Sequence, residues 1–280
     1  MLGRGDTIFV PDLRNQRVQR FLADGSDAGS FPLSLADGVP LEWGPRPDGR
    51  LLEQDRVVPI TEHDVSRVLV LLKAGDGELL DTLAAVPAGE AMLIRDGQPQ
   101  MTVFGAEPMW APLSDGGIAI GRNSEYTLQI QGPDGRLKQI TRMLFEGRVF
   151  GGADQRKLEG LLRDYFERQA SSPARLRMLQ SMSYADHYPV FASLFGGPNG
   201  SVWVQHARDV SSLEVDDMAR FDVRAFGASR WDVLDHEGRF LGTIETPAGF
   251  DPIVSTDEAI YGVERDDLGV QYVVRLRVLR

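Results

Sequence analysis

Hydrophobic and polar positions alternate in short runs along most of the chain. Thr7 to Val10, Val18 to Phe21, Leu69 to Leu72, Ile118 to Ile120, Leu128 to Ile130, Val202 to Val204, Trp231 to Leu234 and Tyr272 to Leu276 are each of strand length. Runs of this length, rich in β-branched and aromatic residues and bounded by turn residues, predict strands. The punctuation between them is Asp-Gly, at Asp24-Gly25, Asp37-Gly38, Asp48-Gly49, Asp76-Gly77, Asp96-Gly97, Asp115-Gly116 and Asp134-Gly135, with Asn199-Gly200 and Glu237-Gly238 as similar turns. Glycine accepts the positive φ that tight hairpins need, and Asp or Asn tolerates the position before it. The pattern predicts many consecutive antiparallel hairpins.

One class of hairpin repeats. Glycines 25, 77, 135 and 238 each follow a strand that ends in an apolar or aromatic residue, and their separations are 52, 58 and 103. The first two are near the length of one β-propeller blade with loops. Grouping the hairpins gives three strands in 7–33, four in 39–84, four in 107–143, four in 188–246 with a long excursion near 207–227, and three in 250–278. An extra hairpin, Ala91 to Ile94 and Met101 to Phe104, turns at Asp96-Gly97.

The period changes once. From Asp154 to Gln169, Leu158, Leu161, Leu162, Tyr165 and Phe166 follow the i, i+3, i+4, i+7, i+8 spacing of one helical face. Asp154 is the expected N-cap. Ser172-Pro173 then restarts the chain with a cap residue and a first-turn proline, and Leu176 and Leu179 give a second helix its face. The segment 154–184 is read as a helical hairpin inserted in a single β-propeller domain, its apolar stripe packing on the loops of an adjacent blade. The outermost groups of strands do not complement each other into one shared blade. About 4.5 to 5 blades are therefore expected: either the ring has five imperfect blades, or, the favoured expectation, an upstream segment is missing and leaves an open blade edge for that segment or a partner.

Composition narrows the function classes. The 280 residues are 42% hydrophobic and 25% charged, a globular balance. The longest apolar run, Val68 to Leu72, is far shorter than a membrane-spanning helix. The absence of cysteine removes disulfides, thiol nucleophiles and thiolate zinc sites. A net charge of -11 argues against nucleic acid as a partner.

Asp6 to Asp12, then Asn15-Gln16-Arg17-Val18-Gln19-Arg20-Phe21, then Ala23-Asp24-Gly25 resembles the blade repeat of bacterial six-bladed β-propellers of the NHL-repeat-like type. In that repeat a strand ending in Val-x-Asp precedes Asn-x-Arg-Val-x-x-Phe and an Asp-Gly turn. Trp231 to Thr246, Ala259 to Val263 and Tyr272 to Leu276 are similar to the same family, as is the entry at His187-Tyr188-Pro189. Pro11 stands where the family often has a small residue. The resemblance implies a six-bladed-type, all-β propeller truncated at its N-terminus, and a periplasmic or extracellular setting for the full-length protein. It does not transfer a function, because propellers of this kind include scaffolds, sensors and metal-dependent lactonases and lyases.

No set of residues forms a catalytic signature. The histidines, His63, His187, His206 and His236, make no metal-binding spacing, and no Gly-x-Ser-x-Gly, Walker or dinucleotide loop is present. The acidic runs at 214–217 and 264–267 lack EF-hand spacing and read as solvated loops. Propeller ligands bind at a channel mouth lined by innermost strands. The residues expected there are Glu42, Trp43, Trp110, His187, Tyr188 and Asp251. Flat aromatic faces offer stacking, and two carboxylates offer hard oxygen ligands to calcium or another divalent metal. The leading expectation is a non-catalytic scaffold for a protein or small-molecule ligand, without a required cofactor. The alternative is a metal-dependent lactonase- or lyase-like enzyme using Glu42 or Asp251 at the channel mouth.

Overall fold

The computed structural model describes residues 7–12, 14–22, 24–33, 39–46, 48–57, 67–95, 98–168, 179, 181–220, 226–266 and 270–278. The chain is all-β, in the manner of a propeller: successive antiparallel meanders follow one another along the sequence and, within each unit described below, pack on the next. Five such sheets are present among the described residues. The first holds β1 (Ile8–Asp12), β2 (Arg17–Phe21) and β3 (Asp27–Pro32). The second holds β4 (Val39–Pro45), β5 (Leu51–Val57), β6 (Arg67–Lys73) and β7 (Leu79–Pro87). The hairpin β8 (Met92–Arg95) and β9 (Gln98–Val103) stands apart from the meanders. Then come β10 (Pro108–Pro112), β11 (Ile118–Arg122), β12 (Thr127–Gln131) and β13 (Leu137–Arg142). After helix α1 (Gly152–Arg168) and the two-residue β14 (Ser183–Tyr184), the fourth meander holds β15 (Ser193–Gly196), β16 (Val202–Ala207), β17 (Gly227–Leu234) and β18 (Phe240–Glu245). The last holds β19 (Asp251–Ser255), β20 (Ala259–Arg265) and β21 (Gln271–Arg277).

The Asp-Gly turns share one geometry. Gly25 N donates to Leu22 O at 2.9 Å while Leu22 N donates to Ser26 O at 2.9 Å. The same pair of bonds recurs in the turns at 46–50, 74–78, 113–117, 132–136 and 235–239. The glycine of each has positive φ, and in the first five the preceding Asp accepts from the backbone N–H two residues on. This is a type I turn closed by a glycine bulge, which a three-residue hairpin loop favours. At Gly77 (φ 91) a second demand applies, since a Cβ there would lie 2.3 Å from the Phe31 ring. The expected turns at Asp37-Gly38 and Asp96-Gly97 lie outside the described residues.

The chain divides into two compact units. The first comprises Met1–Ala88, Ala111–Ala119 and Ile130–Lys138. In it the β1–β3 sheet packs Phe9, Val18 and Phe31 on Leu51 of β5. Arg20 of β2 reaches the carbonyl of Gly75 in the next sheet's turn at 3.5 Å. Arg46, fully buried, donates to Pro133 O at 3.0 Å and lies 3.5 Å from Asp48, so one guanidinium ties two turns together.

The second unit comprises Gly89–Trp110, Ile120–Gln129 and Gln139–Arg280. Here Thr141 of β13 donates to Gly238 O in the turn before β18 at 2.9 Å. One face of the β15–β18 sheet carries Phe195, Trp203 and Trp231, which pack with Phe250 and Ile260 of the following sheet. Side chains of this size each gain roughly 1.5–3 kcal/mol on leaving water, so this face holds the two sheets together.

Helix α1 follows the predicted stripe. Leu158, Leu162 and Phe166 are buried, and Leu158 and Leu162 pack with Val210, Leu213 and Met218 of the excursion between β16 and β17. The helix begins at Gly152, so Asp154 lies within the first turn and not at the cap, where its charge still favours the positive end of the helix dipole. The expected second helix, restarting at Ser172-Pro173, lies outside the described residues except at Leu179, which packs against the core beside α1. The helical reading to residue 184 does not hold at its end. Ser183 and Tyr184 form β14, parallel to β9, with Ser183 Oγ 2.7 Å from Thr102 Oγ1. Pairing with β9 satisfies backbone groups that a frayed helix end would leave open. Among the described residues no helix is long and apolar enough to cross a membrane.

Candidate functional site

The six residues expected at a channel mouth lie on four separate stretches of the chain. Glu42 and Trp43 are in β4, in register with Gln54 and Glu53, and their side chains are outside the described set. Both belong to the first unit, whereas Trp110, His187, Tyr188 and Asp251 belong to the second. Trp110 is buried in β10. Asp251 is exposed at the start of β19, opposite Val263. His187 is exposed and bridges to Val149. His63 lies outside the described residues.

Tyr188 is committed to the core beside α1. Its ring lies 5.2 Å from Phe104 and 5.0 Å from Phe150, centroid to centroid, and the Arg148 guanidinium sits 3.7 Å over it. Val210 N donates to its hydroxyl at 3.3 Å. Burial pushes the phenol up to about 12.

Two polar clusters that the sequence reading did not single out are built into the sheets. The first centres on Asp232 of β17. Register places Val204, Asp232 and Thr243 in one row across β16, β17 and β18. Asp232 Oδ1 accepts from Thr243 Oγ1 at 2.8 Å and lies 2.8 Å from His206 Nε2. Asp232 Oδ2 accepts from Tyr126 Oη at 3.0 Å. Burial acts to raise this carboxyl's pKa, but His206, Thr243 and Tyr126 outweigh it and hold the group below its ordinary value. Burial and the neighbouring anion push the Tyr126 phenol far up. The arrangement fixes an anion between two sheets and orients a half-buried imidazole. The signal in the sequence was an acid inside the apolar strand Trp231-Asp232-Val233-Leu234.

The second cluster is Glu53, Asp55 and Lys73. Glu53 and Asp55 stand two apart on one face of β5, and both are buried. Lys73 Nζ is 2.6 Å from Glu53 Oε1. One cation beside two buried carboxylates leaves an excess negative charge, which favours the protonated form of Glu53. Burial pushes Glu53 up to about 7, with Lys73 opposing and Asp55 reinforcing the rise.

A third feature is apolar and open. In the β19–β21 sheet, Ile260, Val274 and Leu276 point to the tryptophan cluster. The opposite face carries Val254, Tyr261, Val263, Val273 and Arg275, by the registers Val254 to Tyr261, Val263 to Val273 and Tyr261 to Arg275. Val273, in the middle of β21, is 84% exposed, and Val254 is 48% exposed. The Arg275 guanidinium is 5.8 Å from the Tyr261 ring centroid.

Comparison with known proteins bears on fold alone. No family model matches the chain, and no curated protein matches it in sequence. Among solved structures it is similar to virginiamycin B lyase from Staphylococcus aureus, at 9% identity and a TM-score of 0.41, covering 100% of this chain and 69% of that one. It is also similar to a protein of unknown function from Bacteroides caccae, at 10% identity and a TM-score of 0.38, covering 94% and 72%. A third likeness is to BBS1N in complex with ARL6DN, at 10% identity and a TM-score of 0.34, covering 96% and 74%. One of these is named a lyase and another was solved with a protein partner. Likenesses this distant transfer neither role.

Proposed function

We propose that this chain is a propeller of the NHL-repeat-like type that works, outside the cytoplasm, as a non-catalytic binding scaffold. The supporting observation is the open face of β19–β21. Within the second unit, both faces of the β15–β18 sheet meet a neighbouring sheet, through Tyr126 and Thr141 on one side and the tryptophan cluster on the other. On the last sheet, Val254 and Val273 meet water at the positions where such a neighbour would sit. An apolar face of this kind on a folded chain marks an interaction surface. The buried carboxylates support the same reading. Asp232 is held by three protein groups and Glu53 by Lys73, so each has a structural task without a ligand.

Titration with an anilinonaphthalene sulfonate dye tests this. Saturable dye binding to the native chain is expected, reduced several-fold by Val254→Thr with Val273→Thr while circular dichroism is unchanged. Dye binding that ignores both substitutions contradicts the assignment of this face. Metal-dependent turnover of a lactone, lost in Glu42→Gln or Asp251→Asn, contradicts the non-catalytic reading.

A further inference from the structure

The backbone of β21 is paired on one side only among the described residues. Val278 N donates to Glu258 O at 3.0 Å, and Asp266 N donates to Val270 O at 3.1 Å. These contacts bracket the β20–β21 ladder, in which Ala259 faces Arg277 and Arg265 faces Gln271. In an antiparallel ladder the backbone turns to its partner at every second residue. Tyr272, Val274 and Leu276 therefore bond β20. The N–H and C=O groups of Gln271, Val273, Arg275 and Arg277 point off the edge. The ladder runs the length of β21 without a register shift, whereas the pairing of β18 in the neighbouring sheet is shifted between Val233 and Leu234. A straight, unbulged edge is a template for a further strand.

The neighbouring sheet shows where that strand fits. Ser255 Oγ of β19 donates to Gly196 O of β15 at 2.7 Å, so the two sheets align from their first strands. β15–β18 has four strands and β19–β21 has three. Ile244 of β18, beyond the reach of a facing strand, is only half-buried against the tryptophan cluster. The other side of the edge carries charge of one sign. Register places Arg265, Arg275 and Arg277 on the open face, all exposed, and the acid of that face, Asp251, stands on the far strand β19. Among the described residues no carboxylate pairs with Arg275 or Arg277.

We propose that the edge of β21 takes an extended acidic peptide as a further antiparallel strand. Its carboxylates alternate with apolar residues: the acids meet Arg275 and Arg277, and the apolar side chains cover Ile244. The proposal rests on the scaffold reading above and names the class of partner. In strand addition the backbone supplies affinity and alternate side chains supply specificity. The arginines also exclude wrong strands. A second copy of β21 would bring its own Arg275 and Arg277 to the same face. Nucleic acid has no peptide backbone to pair, and a net charge of -11 repels it.

The test is fluorescence anisotropy of a labelled peptide of alternating glutamate and valine, titrated with the whole chain. Saturable binding is expected, weakened roughly tenfold by Arg275→Glu with Arg277→Glu, and regained by that variant when lysine replaces the glutamates. Residues opposite Val273 and Arg275 turn their N–H groups to β21, and these are the glutamates. N-methylation of the glutamates should therefore abolish binding, and N-methylation of the valines should leave it. Equal binding of the two methylated peptides would reduce the contact to charge alone and overturn the proposal. Indifference to the arginine reversal, or no binding of the peptide, overturns it too. Sedimentation mass that rises with concentration, and stops rising in Val273→Pro, would put a second copy on the edge and also overturn it. If the peptide fails while dye binding still responds to Val254→Thr with Val273→Thr, only the acidic strand is lost. If the dye ignores those substitutions as well, the scaffold reading falls with it.

Discussion

Tyr126 Oη donates to Asp232 Oδ2 at 3.0 Å, joining the β10–β13 sheet to the β15–β18 sheet through a buried anion. Removing the hydroxyl leaves that carboxylate one donor short. Tyr126→Phe is expected to cost about 1–3 kcal/mol in urea unfolding, since a buried acceptor loses its partner and keeps its desolvation. A cost within a few tenths of a kcal/mol would mean the bond is not a tie between sheets.

Asp232 and Glu53 should titrate with opposite effects on stability. The folded-state pKa of Asp232 lies below its ordinary 3.8, so its contribution is full above that value and is lost as pH falls through the lower, folded one. The stability gap between the native chain and Asp232→Asn should therefore narrow only in strong acid.

For Glu53 the shift is upward, from 4.5 to about 7. Its contribution is full below 4.5 and is lost as pH rises through about 7, where Glu53 must give up its proton. Denaturant midpoints should fall across that window for the native chain, and the fall should be smaller in Glu53→Gln. Parallel pH profiles for the two would refute the upward shift at Glu53.

The glycine turns differ in what they tolerate. At Gly25 a methyl group meets nothing within 4 Å, so Gly25→Ala bears only the positive-φ cost of roughly 1–2 kcal/mol. At Gly77 the methyl would also meet the Phe31 ring at 2.3 Å, and overpacking adds roughly 1–3 kcal/mol. Gly77→Ala should be the more destabilising of the two by calorimetry.

Leu162 is fully buried between α1 and the excursion before β17. Leu162→Ala should cost about 2–5 kcal/mol through the cavity it leaves. Hydrogen exchange should then rise first in α1 and in residues 210–218, which share that core, and not in the β19–β21 sheet.

The order of sheets was largely legible in the sequence, because Asp-Gly turns and short apolar runs are local signals. The strand groups 7–33, 107–143 and 250–278 contain β1–β3, β10–β13 and β19–β21. The α1 stripe was legible for the same reason: Leu158, Leu162 and Phe166 repeat every four residues. The polar clusters were not. Asp232 and Tyr126 are 106 residues apart, and only the packing of two sheets brings them together. Glu53 and Asp55 alternate along β5 as a solvated face would, and burial of that face is a property of the neighbouring sheet. Tyr188 was read as an aromatic lining a mouth. Its ring instead fills the core beneath the helix, because Phe104, Phe150 and Phe226 converge there from distant segments.

A face that binds a partner must be open on the folded chain, and Val273 marks the face in question. The cysteine-free sequence permits a direct measurement: the maleimide reaction rate of Val273→Cys, in dilute native protein, beside Val204→Cys as a buried reference. The expected result is reaction at Val273→Cys close to the rate of the same variant unfolded in urea, with Val204→Cys slower by orders of magnitude. Slow reaction at both positions would mean the face is already covered, and the scaffold reading would fail.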